Sequence, residues 1–427
     1  MLTSLVRLGH SLSVTHVFRQ RHLVLLWFSQ LLSAIGDHLY EIAVVWLAVQ
    51  LAASEAGLVL SAGALSRLVL GLLGGVYADR WDRRKTMLTV DLMRCGVVLT
   101  LPMASLLGPT SIWHLAAATT ALGGLSALFD PALQASLPTV VENTHTLQAM
   151  NALMDATRRL ARIFGPGLAG VLVALMPIPQ LFTVDALTFG VSAYALVSLR
   201  QHFPWHPRAA SPPFRRSNYI FSDLFGAVQL TMAHHPFLWS LIGNSLTALT
   251  WSAVFTVGLA LYVHAAFDGS VGAYGWIVAA YGVGNVLSNI VISNLRIQRR
   301  ALVYFLGKIV VGVGFLSLAC ATMLPVALLS AGVAAIGGPM GDVPLLITIQ
   351  RDFPAHHVGK IYSLRLMFSG IGSPLGLLLA ALVFARWSPR TGIILLALAT
   401  IAVGGVGALR WYGSQEQVPS SRSRGSS

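Results

Sequence analysis

Charge is what this chain has least of. Asp, Glu, Lys and Arg make up 10% of its 427 residues, where soluble domains carry about 25%. Hydrophobic residues make up 55% and the mean hydropathy is +0.72. That balance excludes a large soluble core and describes a polytopic membrane protein. Cysteine is nearly absent. Cys95 and Cys320 both lie in apolar stretches, which argues against a structural disulfide or a metal site. Acid is scarcer than base, and the formal charge is +13. The bases sit in short clusters between apolar runs, which argues against a nucleic-acid partner. No nucleotide-binding motif is present, which argues against a directly ATP-driven pump, and no cofactor is implied. A membrane enzyme acting on lipid needs a His/Asp/Glu cluster at one interface, and the acids and bases here fall inside apolar runs instead. The pairs His234-His235 and His356-His357 lack a third ligand at metal spacing and are expected as solvated loop residues. The first twenty residues carry Arg7 and Arg19 but no small-residue cleavage site, so the first apolar run is expected to be an uncleaved anchor.

Long apolar runs dominate. A spanning helix needs about 20 mostly apolar residues. Twelve runs qualify: about 23–51, 54–78, 86–107, 111–135, 147–175, 180–200, 237–263, 270–295, 301–323, 325–349, 359–385 and 391–411. The expected organisation is an N-terminal segment (1–22), a six-helix bundle (23–200), a central linker (201–236), a second six-helix bundle (237–411) and a disordered tail (412–427). The linker holds Pro204, Pro207, Pro212, Pro213, Arg208, Arg215 and Arg216, and turns amphipathic from about Asp223.

Base distribution sets orientation. Twenty-one of the 28 Lys and Arg fall on one side of this layout, counting Lys308 and Arg365 as loop residues; only Arg386 and Arg390 fall on the other. Both termini are therefore expected in the cytoplasm. The halves also repeat. A shift of 216 takes Arg80, Arg83 and Arg84 onto Arg296, Arg299 and Arg300, and Pro109, Gln134 and Pro138 onto Pro325, Gln350 and Pro354. Asp79 falls on Leu295, so the second half keeps the bases and loses the acid.

Charge inside a span is expensive, so such residues face a partner or a water-filled cavity. Asp37 and Glu41 lie four residues apart on one face of the first span, with Asp37 near mid-depth. They read as a proton-coupling pair or a counter-charge for a cationic substrate; the alternative is pairing with an Arg on a neighbouring helix. Arg67 has no evident local partner. Asp155, Arg158, Arg159 and Arg162 open the fifth span, with Arg158 and Arg162 on one face. Asp91 and Arg94 are expected to pair with each other or across the bundle. Asn244, Trp251, Asn285 and Asn289 are candidates for the substrate path or for interhelical bonds. Asp130, Asp185 and Asp342 read as interfacial or capping residues near span ends.

One loop carries a recognisable pattern. In GGVYADRWDRRKTM, Gly75, Asp79, Arg80, Arg83 and Arg84 follow an apolar run and precede another. The stretch resembles the loop between the second and third helices of the major facilitator superfamily, with Asp82 in place of the usual Gly. The resemblance implies an all-α fold of twelve transmembrane helices in two parallel six-helix repeats, monomeric, in the cell membrane. It also implies a gating role, Asp79 meeting the start of span eleven near Gly359 with Arg80, Arg83 and Arg84 in support. Gly165, Pro166 and Gly170 partly match the helix-bending motif of the superfamily's antiporters. QASLP (134–138), QAMNALMDATRRLARIFGPGLAG and VDALTF (184–189) resemble the bacterial branch holding enterobactin and macrolide exporters. The implied activity is proton-coupled efflux of a small organic molecule by alternating access. An importer of a small metabolite on the same fold is the alternative.

Overall fold

A computed structural model describes residues 16–77, 82–141, 143–203, 229–232 and 234–411. In lipid every backbone N–H and C=O must be satisfied within its own segment, so apolar runs become helices. The helices are α1 (Arg21–Ala52), α2 (Ala56–Tyr77), α3 (Arg83–Leu107), α4 (Ile112–Val140), α5 (Thr144–Leu175) and α6 (Ile178–Ser198). After the linker come α7 (His235–Ala266), α8 (Val271–Asn294), α9 (Arg300–Ala319), α10 (Leu324–Asp352), α11 (Ala355–Arg386) and α12 (Pro389–Trp411). No strand occurs among the described residues. Within them, ten stretches are long and apolar enough to cross a membrane, the first of which (Arg21–Gly71) holds α1 and most of α2. In α5 only Phe164–Val173 is apolar, because Asp155, Arg158, Arg159 and Arg162 crowd its first half.

Helix starts follow cap chemistry. Asp82 caps α3, its carboxylate accepting from Lys85 N at 3.1 Å. That gives a local reason for Asp where the superfamily pattern has Gly. Asn143 caps α5 and Ser270 caps α8. Inside α7, Ser252–Gly258 is π-helical, a distortion that apolar periodicity does not reveal and that often marks functional segments.

Packing pairs the helices twice over. α1 lies on α5 and α6, α2 on α4, and α3 on α4 and α6. The same partnerships recur for α7 on α11 and α12, α8 on α10, and α9 on α10 and α12. Between the two sets, α2 meets α11 and α5 meets α8.

The cores reveal which end is joined. One large core collects the second halves of α1, α3, α5, α7, α9 and α11 with the first halves of the even-numbered helices, including Trp46, Phe182, Tyr262, Tyr274, Phe315 and Phe384. It runs across both sets. At the opposite end, where the basic loops lie, there are two separate cores: Met87, Phe129 and Met150 in the first set, Phe237, Tyr304 and Phe353 in the second. The molecule is joined at one end and divided at the basic end.

Two bases counted as loop residues lie well inside helices, away from their ends. Lys308 sits eight residues beyond Arg300 in α9 and is 5% exposed; Arg365 lies in α11. Their apolar neighbours extend the helices through them, so neither belongs to the basic loops. The linker from 204 to 228, with its amphipathic stretch, and the tail from 412 lie outside the described residues, as do Asp79 and Arg80.

Candidate functional site

The wall on the first set of helices is built by α1, α2 and α5. Asp37 stands at the midpoint of α1 with its side chain exposed. The charges acting on it come from Arg94, Glu41, Arg67 and His38. Glu41 bonds His38 rather than Asp37, with Oε2 2.8 Å from Nδ1. Arg162 acts on both Glu41 and His38 from α5, and on Tyr281 from the far side. It lies on α5, the helix of the first set that meets α8 of the second. Arg158 is exposed one turn away, and Arg159 is held by Asp155 at 2.8 Å.

The facing wall is aromatic and polar. Trp251 and Phe255 stack with centroids 5.0 Å apart, and Phe255 lies 4.3 Å from Tyr281. Trp251 Nε1 donates to Tyr281 Oη at 2.9 Å. Asn244 donates to Ser369 at 2.5 Å and so joins α7 to α11, an interhelical bond. Asn285 packs beside Gly338, and Asn289 accepts from Ser293 at 3.3 Å. Asp342 and Arg365 form an ion pair at 2.5 Å between α10 and α11.

Behind the first wall lies a second, enclosed layer of charge. Asp91 is fully buried, Asp185 is 1% exposed and Arg94 is 4% exposed. The Arg94 guanidinium lies over Phe129 (4.9 Å) and Phe189 (5.4 Å) and reaches Asp91 at only 3.9 Å. Asp185 rests on α1 at Gly36, where an added Cβ would lie 2.5 Å from its Oδ1.

Several expectations need correction. Asp185 is neither interfacial nor a cap: Gly36 leaves a notch into which its carboxylate fits. Asp342 is no cap either, because α10 continues to Asp352. His234 is not merely solvated. Its Nδ1 accepts from Phe237 N at 3.2 Å, its ring lies 5.1 Å from Phe353, and its Nε2 is 3.5 Å from Asp352, which also takes Arg300 at 2.9 Å. His38, Phe255 and Tyr281 were missed. His38 stands at i, i+3 from Glu41, and Trp251 and Phe255 at i, i+4, so the spacing carried a signal.

The signature loop is seen in part. Gly75 lies in α2, while Asp79 and Arg80 fall outside the described residues. Arg83 donates to Ala135 O at 2.5 Å and Arg84 to Leu196 O at 2.7 Å, tying the start of α3 to α4 and α6. Gly165 packs on His38, and Gly170 on Gly272 and Gly275 of α8, within an unbroken α5 that contains Pro166.

Buried charge and facing polar groups, set between helix sets that are joined at one end and divided at the other, define a membrane transporter rather than an enzyme. Residues 13–355 match a major facilitator family described as transmembrane secretion effector, and the chain belongs to that family. It is 29% identical over 385 residues to the uncharacterized MFS-type transporter YfiS of Bacillus subtilis, covering 86% of this chain and 88% of that protein. It is 26% identical to the multidrug efflux pump Tap of Mycolicibacterium fortuitum (90% and 94% covered) and 25% identical to the enterobactin exporter EntS of Citrobacter koseri (79% and 79%). Among solved structures, the fold matches a bacterial homologue of the iron transporter ferroportin in an inward-facing state. There the TM-score is 0.68, with 15% identity and 92% and 99% coverage. A bacterial homologue of the lysosomal transporter Spinster, also inward-facing, gives 0.67, with 12% identity and 95% and 99% coverage.

Proposed function

We propose that this chain is a secondary active exporter that moves a small organic molecule, of drug or siderophore type, out of the cell in exchange for protons. The helices α1–α12 are read as twelve spans in two parallel six-helix repeats, 23–200 and 237–411. The recurring helix partnerships and the sequence matches at one offset support that reading. With the basic end cytoplasmic, both termini lie inside the cell and the divided side opens to the cytoplasm. The protein works as a monomer.

The observation that carries the reading is the pairing of walls: Asp37, Glu41, Arg67 and Arg162 on one side, Trp251, Phe255 and Tyr281 on the other. Aromatic surface takes the apolar body of a substrate, and charge takes its polar group or a proton. Rocking of the halves about their joined end exposes the site to each side in turn. Asp37 trades its proton as the site changes sides. The signature loop (Gly75, Asp79, Arg80, Arg83, Arg84) gates the cytoplasmic side, and Gly165, Pro166 and Gly170 give α5 the pliability to follow. The names of Tap and EntS favour efflux as the direction.

The experiment loads cells overproducing the protein with antibiotics, dyes such as ethidium, and siderophores, and follows retention with and without a protonophore. The expected result is lower retention, restored by the protonophore and by a folded Asp37→Asn variant. Raised retention of a compound would overturn export in favour of uptake, and a fully active Asp37→Asn would remove Asp37 from the mechanism.

A further inference from the structure

We propose that Asp185 is a second protonation site of this transporter: an enclosed carboxylate behind Asp37 that stores a proton opposite Arg94 and exchanges it with Asp37. The inference rests on the proton-coupled reading above and extends it to a residue on α6.

Charge balance is the first argument. The enclosed layer holds two carboxylates, Asp91 and Asp185, and one guanidinium, Arg94, all at most 4% exposed. An uncompensated charge in such a place is strongly disfavoured. One proton makes the set neutral. Asp91 takes no hydrogen bond of good geometry, and the Ser192 hydroxyl beside it accepts from Gln30 Nε2 at 3.0 Å. Arg94 Nε likewise has none. The guanidinium is held by two aromatic faces rather than locked onto one acid, so it can serve either.

Placement is the second. Gly36 precedes Asp37, and its missing Cβ admits the Asp185 carboxylate against the α1 backbone. Asp37 exerts the strongest charge effect on Asp185, ahead of Arg94 and Glu41. Asp37 is exposed and, as a charge inside a span, must face water or a partner rather than lipid, while Asp185 is buried. One carboxylate thus meets the transport path and its neighbour lies in a dry layer. The transfer is a bare proton exchange, from the Asp37 carboxyl to the Asp185 carboxylate and back. It needs no other reactant. The other groups facing this unit are Tyr40, His38 and Glu41 on α1, Cys95 on α3 and Thr188 on α6, with Arg67 and Arg162 further out. Glu41 is held by His38, which leaves Asp185 as the carboxylate backing Asp37.

The test uses infrared spectroscopy of the purified full-length protein at neutral pH, in an Asp37→Asn background that removes that carboxyl from the spectrum. The expected result is a protonated carboxylic C=O band that is lost in Asp185→Asn and also in Asp91→Asn. Arg94→Gln removes the cation and should roughly double the band, an opposite sign that a merely structural role would not give. Arg94→Lys, which keeps the charge, should leave the band in place and serves as the folded control. A band that survives either Asp→Asn change, or none at the start, overturns the proposal. Coupling is read separately in cells. With Asp37 present, Asp185→Glu should retain protonophore-sensitive ethidium efflux and Asp185→Asn should lower it by about tenfold or more. Protonophore-sensitive efflux that is unchanged in Asp185→Asn also overturns the proposal. If the bands behave as expected while wild-type efflux ignores the protonophore, the proton store stands and the coupling reading fails.

Discussion

The joined end gives a graded prediction at Gly275, Gly170 and Gly272, where α5 meets α8. A Cβ on Gly275 would lie 2.8 Å from Pro166 O and 3.0 Å from Gly170 Cα. Both neighbours are backbone, so no rotamer change relieves the clash. A Cβ on Gly170 would lie 3.3 Å from Gly272 O, a tighter contact than usual but a tolerable one. A Cβ on Gly272 would meet nothing nearer than 3.7 Å. Overpacking of this kind costs about 1–3 kcal/mol. The cost falls on the state in which these helices touch, so Gly275→Ala should shift the balance towards the state open at this end by about 5- to 150-fold. Gly170→Ala should shift it less, and Gly272→Ala hardly at all. The assay is a distance distribution between spin labels at Ser54 and Asp268, which lie at the joined end in different halves, after Cys95 and Cys320 are replaced by Ser. Gly275→Ala should add a longer component. The reasoning fails if folded Gly275→Ala leaves the distribution unchanged, or if Gly272→Ala moves it as much.

Other predictions follow from single contacts. Trp251→Phe keeps the stack on Phe255 and loses the bond to Tyr281, so thermal unfolding should report a loss of about 0.5–1.5 kcal/mol, and an unchanged midpoint would deny that bond any weight. A double-mutant cycle on Asp342→Asn and Arg365→Gln should return a coupling of about 0.2–1 kcal/mol, because Arg365 is 13% exposed but Asp342 is 60% exposed and screened; additivity would show that the pair does not interact. At the α3 cap, Asp82→Ala should cost about 0.5–2 kcal/mol and Asp82→Gly only a few tenths, read as thermal midpoints, and equal effects would refute the cap.

The long helices were legible because the bilayer reads sequence locally. A run of about 20 apolar residues must become a helix wherever it falls. The predicted runs therefore lie within a few residues of α1–α12; α4 outruns its apolar stretch, reaching Val140 rather than 135, and α9 stops short of its own, at Ala319 rather than 323. Individual side chains were less legible. Asp37, Arg162 and Trp251 stood out because charge or aromatic mass inside a span is unusual. Lys308 and Arg365 were misplaced because a base near a run's edge looks the same whether the helix stops before it or continues past it.

By itself the sequence determined the membrane class, the lopsided distribution of bases along the chain and the family, all of which are properties of neighbouring residues. Only the tertiary structure decided that Asp185, 148 positions from Asp37, backs the same helix, that Glu41 turns to His38, and that Trp251 and Tyr281 share a wall. It also decided which end is joined. The physical reason is that helix formation is satisfied within each segment, whereas contacts between segments depend on how rigid rods are set against one another. One set of rods can be joined at either end without changing a single local preference.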